Sequence, residues 1–265
     1  MSNHQQPNSL ISEQYPNSAR LDARVLLHRR FSTNPQGWYP WVFDILEKLT
    51  SPANVLELGC GPGYLWSTCT GRIPQNWSIT LSDASEGMLL AAWRNLVVTG
   101  RTFKYEQIDA QSIPFPDHTF DIIIANHMLY HVENLSEALH EIHRVLKPGG
   151  NLLAATVGKN HMREMNQWIE QSCTSAYTPF YESFTLESGL SQLTPIFSHV
   201  SRHIYEDNLQ INEIEPIIAY IRSCIPGSEL SEPKLSALRN SLQAQMLKQR
   251  SLFVCKNTGL FLATA

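Results

Sequence analysis

Apolar and polar positions change their spacing along the chain in a way that predicts strands and helices in alternation between residues 54 and 157. Short apolar runs predict buried strands, and the segments between them carry apolar residues at the roughly 3.6-residue spacing of an amphipathic helix. The predicted strands cover 54–58, 78–83, 102–109, 120–127 and 151–157. Strands separated by helices form βαβ units, so the pattern predicts a doubly wound sheet of mainly parallel strands.

Two of the intervening helices have recognisable ends. The helix predicted over 85–97 begins at Ser85, a residue type that caps helices through its hydroxyl group. The helix predicted over 135–146 is followed by Lys-Pro-Gly-Gly, which is expected to stop it before the next strand.

The flanks of this pattern are less regular. Residues 1 to about 20 are rich in Asn, Gln, Ser and Pro and are expected to form a flexible arm. The remaining predicted elements are helices over 21–31, 41–49, 161–174, 211–224 and 231–250, a turn-rich loop over 32–41, and strands over 198–207 and within 251–265. We therefore divide the chain into an N-terminal arm with lid helices (1–50), a core (51–157), and helical insertions with closing strands of the same domain (158–265).

The stretch NVLELGCGPGYLW joins the first predicted strand to a helix through Gly59, Gly61 and Gly63. Glycine lets the backbone take positive φ and approach a ligand closely, so this turn predicts a nucleotide-binding site. A phosphate-binding loop needs a Lys after its last glycine, and none follows here. A dinucleotide fingerprint needs a glycine where Tyr64 stands, which weakens that interpretation. The arrangement that fits is G-x-G-x-G with Glu57 two residues before the first glycine.

Further motifs follow this turn in order. Asp83 ends the second predicted strand in LSDASEGML, and Asp109 ends the third in QIDAQSIPFPDHTFD. IIIANHMLYHV covers the fourth predicted strand, and EIHRVLKPGG precedes the fifth. Together with VLELGCGPG, these motifs resemble those of class I S-adenosylmethionine-dependent methyltransferases over residues 54–157. The resemblance implies a Rossmann-like sheet of seven strands with a late antiparallel strand and helical lid elements.

The resemblance also implies how the cofactor, S-adenosylmethionine, would be held. The glycines would approach its amino-acid and sugar parts, Asp83 would accept from both ribose hydroxyls, and Asp109 would accept from the adenine amino group. Ala110 would donate its backbone N–H to the adenine ring, and Met88 would pack on an adenine face. The implied cofactor-binding positions are Glu57, Gly59, Cys60, Gly61, Gly63, Asp83, Ala84, Met88, Asp109, Ala110, Gln111 and Asn126.

Each of the acids also has a structural interpretation that the sequence leaves open. Asp83 is placed to cap the following helix, and Asp109 to form a turn before Pro114. Glu57 would either orient the glycine-rich turn or meet the ammonium group of the cofactor through water. Cys60 is interpreted as a small filler of the loop.

Histidines follow the fourth predicted strand, where pockets open in parallel sheets. The resemblance places His127, Tyr130 and His131 near the methyl group, with either histidine as a general base and the tyrosine lining the channel. The two histidines also have a spacing that can bind zinc on a helix, but H-E-x-x-H is missing, and no metal is expected. His140 and His143 are expected to pack or to lie on the surface.

An aromatic segment before the first strand is expected to cover the site. In related enzymes the N-terminal segment lids the cofactor, and Trp38 and Tyr39 lie here on a loop bounded by Gly and Pro. Arg30 precedes this loop and would meet the cofactor carboxylate, with a solvated charge as the alternative. Tyr64 and Trp66 would either narrow the pocket or pack the helix after the glycines.

Composition narrows the class of partner. The net charge of −4 comes without a run of basic residues, so nucleic-acid binding is not expected. Cysteines without a C-x-x-C motif predict reduced thiols and a cytoplasmic protein, not a disulfide framework. The N-terminus does not resemble a signal peptide, and no stretch approaches the ~18 apolar residues of a membrane span. We expect a monomer or a homodimer.

The implied reaction is methyl transfer from S-adenosylmethionine, leaving S-adenosylhomocysteine, to oxygen, carbon or nitrogen of a small metabolite or natural product. The subgroup that shares D-x-x-x-[IL]-P-F and R-V-L-K-P-G-G acts mostly on such molecules. An RNA or protein methyltransferase stays open as an alternative, although the N-P-P-Y motif is missing after strand four. A nicotinamide-dependent oxidoreductase and an S-adenosylmethionine-binding regulatory protein that transfers no methyl group are the remaining alternatives.

Overall fold

A computed structural model of the chain describes residues 18–49, 53–174, 177, 179 and 181–265. The flexible arm expected at the N-terminus lies almost entirely outside these residues. The first described helix, Ala19–Phe31, begins slightly before the helix predicted over 21–31.

The centre of the described chain is a sheet of seven strands in the order β3-β2-β1-β4-β5-β9-β6. The strands are β1 (Ala53–Leu58), β2 (Trp77–Asp83), β3 (Lys104–Gln107), β4 (Phe120–Asn126), β5 (Leu146–Val157), β6 (His199–Tyr205), β7 (Asn208–Ile211), β8 (Leu252–Cys255) and β9 (Thr258–Thr264). Strands β1 to β5 pair in parallel, and β9 runs antiparallel between β5 and β6. The predicted Rossmann-like sheet with a late antiparallel strand is therefore confirmed. Strands β7 and β8 form a separate antiparallel pair.

Helices surround this sheet. They are α1 (Ala19–Phe31), α2 (Trp38–Leu46), α3 (Tyr64–Thr68), α4 (Glu86–Leu96), α5 (Leu135–Val145), α6 (Arg163–Ser172), α7 (Gly189–Leu193), α8 (Ile214–Cys224) and α9 (Glu232–Gln249). In the described part of the chain, no helix combines the length and the apolar character needed to cross a membrane.

The third strand is shorter than the predicted 102–109. It ends at Gln107, and Asp109 lies beyond it in an isolated bridge with Ser112. The Asp109 side chain accepts from the backbone N–H of Gln111 at 2.9 Å, which closes a turn and takes the chain out of the sheet.

The fifth strand is longer than the predicted 151–157 and includes the Lys-Pro-Gly-Gly segment expected to be a turn. It starts at Leu146, opposite Phe120, and the register then shifts before Ile122 pairs with Asn151. Glycine permits this irregularity, because Gly149 has a φ of 76° and a Cβ on Gly150 would lie 2.8 Å from a backbone oxygen.

The second helix begins earlier than the predicted 41–49. It starts at Trp38 directly after Gly37, whose φ is 81°, so Trp38 and Tyr39 are helical and do not lie in a loop. Pro40 is tolerated because it lies in the first turn, where its missing N–H would have no partner within the helix.

Three apolar clusters hold these elements together. One lies with α5 on one face of the sheet, and a second lies with α2, α3 and α4 on the other. The third joins α1 to α6, α8, α9 and the β7–β8 pair. Arg24 of α1 ties this last group further, because its Nη2 donates to the Ser223 carbonyl of α8 at 2.7 Å. Residues of the third group and of the carboxyl ends of the strands together line one cavity.

Candidate functional site

The glycine-rich turn after β1 adopts the positive φ angles that its sequence predicts. The φ angle is 63° at Gly59, 52° at Gly61 and 71° at Gly63. A Cβ on Gly59 would lie 2.6 Å from the Met128 Cβ, so the turn and the segment after β4 are too close for a side chain. A Cβ on Gly63 would lie 2.9 Å from the Leu96 Cδ1, so this glycine lets α3 approach α4. Gly59 and Gly61 line the cavity, whereas Gly63 does not.

Cys60 lies in the turn between these glycines and is buried. Its backbone N–H donates to the Ser82 carbonyl at 2.8 Å, which fixes the turn to β2. Burial raises the pKa of the Cys60 thiol well above its usual value, and the nearby Glu57 and Asp83 add to the rise. The thiol is therefore protonated at neutral pH and lines the cavity as a small, uncharged group.

Asp83 ends β2 beside this turn and is largely buried. Its Oδ2 accepts from the backbone N–H of Gly61 at 2.9 Å, and its Oδ1 accepts from that of Ser85 at 2.9 Å. Burial raises the pKa of Asp83, and these hydrogen bonds to the carboxylate oppose the rise. Each carboxylate oxygen has a second lone pair, so holding the turn and binding a ligand are compatible.

The start of α4 and the residue before its cap line the cavity next to Asp83. Ser85 is its N-cap as predicted, and the hydroxyl oxygen accepts from the backbone N–H of Met88 at 3.3 Å. Met88 is 3% exposed and lines the cavity together with Ala84. The Ala84 carbonyl accepts from Gln107 Nε2 at 2.8 Å, which holds the end of β2 against the end of β3.

Glu57 lies beneath the glycine-rich turn and is 2% exposed. Its Oε2 accepts from the Trp66 indole N–H at 2.5 Å. Burial raises the pKa of Glu57 to about 8, the hydrogen bond from Trp66 opposes the rise, and Asp83 adds to it. The contact shows Glu57 anchoring the turn to α3, while one side of the residue still lines the cavity.

Tyr64 and Trp66, whose roles the sequence left open, act differently. Trp66 is fully buried and packs the helix behind the turn. Tyr64 lines the cavity, and its hydroxyl donates to Asp22 of α1. Its ring also lies 6.3 Å from that of Tyr39, between ring centroids. Tyr64 therefore links the glycine-rich turn to both covering helices.

Asp109 and its neighbours continue the cavity wall after β3. The Asp109 carboxylate is exposed and accepts from the Gln111 side-chain amide at 3.1 Å as well as from its backbone N–H. Gln111 in turn accepts from the backbone N–H of Asn134 at 2.8 Å. Asp109, Ala110 and Gln111 all line the cavity, so the turn that removes Asp109 from the strand directs this segment into the site.

The end of β4 meets α2 at Asn126 and His127. The Trp38 indole N–H donates to Asn126 Oδ1 at 3.1 Å, and the Trp38 ring lies 4.9 Å from the His127 ring between centroids. His127 has a φ of 59°, the left-handed conformation that turns the chain out of the strand. These contacts place Trp38 against the carboxyl end of β4, and its role as a covering residue stays a prediction.

His127 and His131 are both neutral at physiological pH. Burial lowers the pKa of His127 to about 3, helped by Lys256, and lowers that of His131 to about 4, helped by Arg24. Tyr130 lies between them, with its ring centroid 4.7 Å from that of His131. All three line the cavity, but histidines with pKa values this low are weak bases.

The cavity has a volume of about 880 Å³ and brings most of the predicted site residues together. Those that line it are Trp38, Tyr39, Glu57, Gly59, Cys60, Gly61, Asp83, Ala84, Met88, Asp109, Ala110, Gln111, Asn126, His127, Tyr130 and His131. The described residues contain no group of three or more His, Cys, Asp or Glu side chains placed to hold a metal ion.

The structure does not bring Arg30 into this group. Arg30 pairs with Glu213 on the surface, and its side chain is 41% exposed. The preceding residue, Arg29, lines the cavity instead, because successive residues of a helix point in different directions.

Sequence reasoning missed a second wall of the cavity, supplied by the flanks of the core. It contains His28 of α1, His161, Tyr177, Tyr181, Tyr220 of α8 and Lys256. These residues are distant in sequence and belong to no motif. The available signal was weak: Tyr220 stands in the apolar segment EPIIAYI, whereas His161 and Tyr181 stand in segments of mixed polar and apolar character.

The core of the chain is similar in sequence to known methyltransferases. Residues 56–154 match the model of a family described as a methyltransferase domain. Over 108 residues the chain is 37% identical to the ubiquinone/menaquinone biosynthesis C-methyltransferase UbiE of Escherichia coli, covering 40% of this chain and 43% of that protein. The chain thus matches less than half the length of this curated relative.

Solved structures resemble a larger part of the chain. The YcgJ protein of Bacillus subtilis superposes with a TM-score of 0.59 at 18% identity, covering 84% of this chain and 96% of that one. Phosphoethanolamine N-methyltransferase 2 of Haemonchus contortus, solved with phosphomonomethylethanolamine and S-adenosylhomocysteine, gives 0.57 at 18% identity, covering 98% and 60%. At this identity the likeness establishes a shared fold.

Proposed function

We propose that this chain binds S-adenosylmethionine in the cavity and catalyses methyl transfer to a small molecule, and the match of residues 56–154 to the methyltransferase domain family supports this. The observation that carries the proposal is one cavity with two different walls. The glycine-rich turn, Asp83 and Asp109 form one wall, and histidine and tyrosine side chains form the other. A cofactor and an acceptor would thus share one cavity, as a transfer reaction requires.

The residues on the first wall fit this cofactor. The turn offers backbone without side chains, because a Cβ on Gly59 would clash with Met128. Asp83 and Asp109 offer carboxylates suited to hydroxyl and amino donors such as those of ribose and adenine. No lysine follows the glycines, which suits a nucleoside without phosphate.

We assign holding roles accordingly. Asp83 would bind the ribose hydroxyls, while Asp109 and the backbone of Ala110 would bind the adenine edge with Met88 against its face. Glu57 would keep the turn in place through Trp66. The cofactor supplies a methyl group on a sulfonium sulfur, and transfer forms one bond to the acceptor atom and breaks one carbon–sulfur bond.

The protein's contribution to catalysis would be alignment and exclusion of water. Trp38 covers the end of β4, and Tyr64 holds α1 against the turn through Asp22. His127, Tyr130 and His131 would face the acceptor and orient it as neutral groups. With pKa values of about 3 and about 4, the histidines are poorly suited to the general-base role expected from the sequence.

The size and chemistry of the second wall support a small-molecule acceptor. The cavity of about 880 Å³ lies in the range typical of sites for cofactors and metabolites, roughly 300–1,000 Å³. The names of the relatives agree, since one acts in quinone biosynthesis and the other was solved with a phosphorylated amine. The atom that accepts the methyl group can be oxygen, carbon or nitrogen on these grounds.

A transfer assay tests this function. The protein is incubated with S-adenosylmethionine labelled in its methyl group and with a cell extract separated into small molecules, RNA and protein. We expect label in the small-molecule fraction, and much less when Asp83 is replaced by Ala. Label confined to RNA or protein would contradict the acceptor class, and no transfer to any fraction would contradict catalysis.

A further inference from the structure

The chemistry of the second wall narrows the class of acceptor, an inference that rests on the proposed function. We call this wall the acceptor wall: His28, His161, Tyr177, Tyr181, Tyr220 and Lys256. None of these residues lies in the motifs that imply cofactor binding.

Lys256 supplies a positive charge on the acceptor wall. Its side chain is 6% exposed, and its ammonium group donates to Asp207, a fully buried carboxylate. Asp207 also accepts from Thr33 Oγ1 at 3.2 Å and from the backbone N–H of Asn34 at 2.9 Å, so several donors share its charge. Within the described chain, Asp207 is the hydrogen-bond acceptor found for the ammonium, which also lies 5.6 Å from the centroid of the Tyr205 ring. An ammonium has three N–H bonds, and because Lys256 lines the cavity, a ligand there can accept from one of them.

His161 supplies a hydrogen-bond donor beside this charge. Its Nδ1 accepts from the backbone N–H of Asn257 at 3.1 Å and lies 3.2 Å from Thr258 Oγ1. Burial and the charge of Lys256 lower the pKa of His161 to about 3, so the ring is neutral. Because Nδ1 is an acceptor, Nε2 carries the proton. No acceptor for this N–H is found among the described residues.

The titratable groups around this wall do not provide a strong base. Burial lowers the pKa of His28 well below its usual value, and Lys256 and the other imidazoles add to the effect. The pKa of His127 is lowered to about 3 for the same reasons, burial first. An alcohol or a protonated amine would need a group to take its proton. An acceptor that enters as an anion has no proton to lose at the attacking atom.

The charges also disfavour a cationic acceptor. Arg24 lines the same cavity and is held by Ser223, with its Nε 3.1 Å from the hydroxyl oxygen. An ammonium ligand would meet the like charges of Arg24, Lys256 and the sulfonium of the proposed cofactor, and like charges repel more strongly in a cavity than in bulk water. An anion would be attracted by the same groups.

Aromatic rings shape this part of the cavity. His28 and Tyr220 meet edge to face, with centroids 6.2 Å apart and planes at 84°. His161 and Tyr181 meet similarly, with centroids 6.4 Å apart and planes at 86°. Flat ring faces and edges suit a flat ligand, which packs on them at little entropic cost.

We propose that the acceptor is a planar molecule that enters as an oxyanion, and that the Lys256 ammonium and the His161 Nε2–H bind the charged oxygen. An ionised enol or phenol and a carboxylate both provide this group. The oxygen brings the lone pair for the new bond and no proton, so the weak bases of the cavity suffice. Lys256 and His161 are thereby assigned to substrate binding.

The test uses four ligands that share a nitrophenyl skeleton and differ in charge. These are 4-nitrophenol above its pKa, 4-nitrobenzoate, the neutral ether 4-nitroanisole, and 4-nitrobenzylamine. Affinities are measured with the full chain by calorimetry or by the absorbance of the nitrophenyl group. We expect at least one anion to bind about tenfold more tightly than the ether and the amine, as for a hydrogen bond to a charged group. The tighter anion distinguishes an acidic hydroxyl from a carboxylic acid.

A paired substitution tests whether the preference for the anion depends on Lys256. Lys256→Met with Asp207→Asn removes both charges of the buried pair, because Lys256→Met alone would leave an unpaired buried carboxylate. This variant should lose the preference for the anion, while Lys159→Met, an exposed lysine outside the cavity, should keep it. Equal binding of anion and ether, tighter binding of the amine, no binding of either anion, or an anion preference that survives in the paired variant would each overturn the proposal.

A parallel titration with S-adenosylhomocysteine separates this proposal from the proposed function. Failure of the unaltered protein to bind S-adenosylhomocysteine would refute the function itself. Binding of S-adenosylhomocysteine without any preference for the anion would refute the acceptor class alone.

Discussion

At the scale of single residues, the hydrogen bond between Glu57 and Trp66 shows how the glycine-rich turn is held between β1 and α3. The sequence leaves two roles open for each residue: Glu57 would orient the glycine-rich turn or meet the cofactor, and Trp66 would narrow the pocket or pack the helix. In the structure the indole N–H donates to the buried carboxyl group at 2.5 Å, and both side chains are withdrawn from solvent. Because this contact joins the strand to the helix across the turn, no local sequence pattern predicts it.

Glu57 should make stability depend on pH. Its pKa is raised from 4.5 to about 8 in the folded protein, mainly by burial. Between these values the folded protein keeps a proton that the unfolded chain releases, so the stability that Glu57 contributes below about 4.5 is lost as the pH rises to about 8.

The variant Glu57→Gln should not show this loss, since its amide can still accept from Trp66 and does not ionise. We expect the free energy of unfolding of the original protein to fall relative to that of Glu57→Gln by more than about 1 kcal/mol over this range. Urea denaturation at a series of pH values measures it, with Glu106→Gln, an exposed acid on β3, as the control. A difference that does not change with pH would contradict the assignment.

Asp83 shows at the same scale why sequence alone leaves two roles open. It was expected either to cap a helix or to bind ribose. The carboxylate does accept from the backbone N–H groups of Gly61 and Ser85, but Ser85 itself is the N-cap of the helix. Since a carboxylate can accept more hydrogen bonds than these, the ligand role stays a prediction for the binding measurement described below.

At the scale of elements, the strands of the core were predictable because apolar runs mark them, and the late antiparallel strand followed from the resemblance. The order of the strands in the sheet was not predicted. The errors in the prediction lie at the ends of strands and helices, where tertiary contacts determine the first and last residue. β3 ends early because the Asp109 side chain closes a turn, and β5 starts early because glycines let an irregular segment pair with Phe120. Helix α2 can begin at Trp38 because Pro40 then lies in the first turn, where proline is tolerated. Sequence patterns do not distinguish a proline in this position from one in a loop.

The start of α2 should control how long a cofactor stays bound. Trp38→Phe keeps a ring beside His127 but removes the hydrogen bond to Asn126. We expect S-adenosylhomocysteine to dissociate roughly 2- to 10-fold faster, which corresponds to the loss of one hydrogen bond. Stopped-flow displacement measures the rate.

The matched control for this helix is Trp41→Phe. Trp41 packs against Trp38, with centroids 5.2 Å apart, but does not line the cavity. Its replacement should leave dissociation nearly unchanged. Equal effects of the two substitutions would show that general packing of α2, and not the bond to Asn126, holds the ligand.

At the scale of the whole molecule, the sheet is completed by β9, which runs between β5 and β6 at the end of the chain. The late antiparallel strand was predicted. The side chains that the segments around β9 contribute to the cavity were not predicted. His161 and Lys256 reach the same space only because β7, β8 and the helices around them fold against α1. A contact that depends on this many distant segments leaves no pattern in the sequence.

We expect the packing of β6 against β9 to depend on Gly259. A Cβ at this position would lie 2.3 Å from the backbone oxygen of His203 in β6. Gly259→Ala must therefore push β6 away from the sheet, and we expect it to lower the free energy of unfolding by about 1–3 kcal/mol.

Urea denaturation followed by tryptophan fluorescence and by circular dichroism measures this effect. Gly71→Ala is the control, because a Cβ there would have nothing within 4 Å, and it should change stability by less than about 0.5 kcal/mol. The same small change for Gly259→Ala would show that β6 is not packed as described.

The most direct test of the central claim, that the cavity is an S-adenosylmethionine site, is a calorimetric titration with S-adenosylhomocysteine. We predict binding to the original protein, no binding of a nicotinamide dinucleotide, and a loss of about 1.5–3 kcal/mol in Asp83→Asn, as for hydrogen bonds to a charged group. Glu106→Gln, the same chemical change on the neighbouring strand outside the cavity, should bind like the original. Binding of the nicotinamide dinucleotide alone, or an unchanged affinity in Asp83→Asn, would contradict the account.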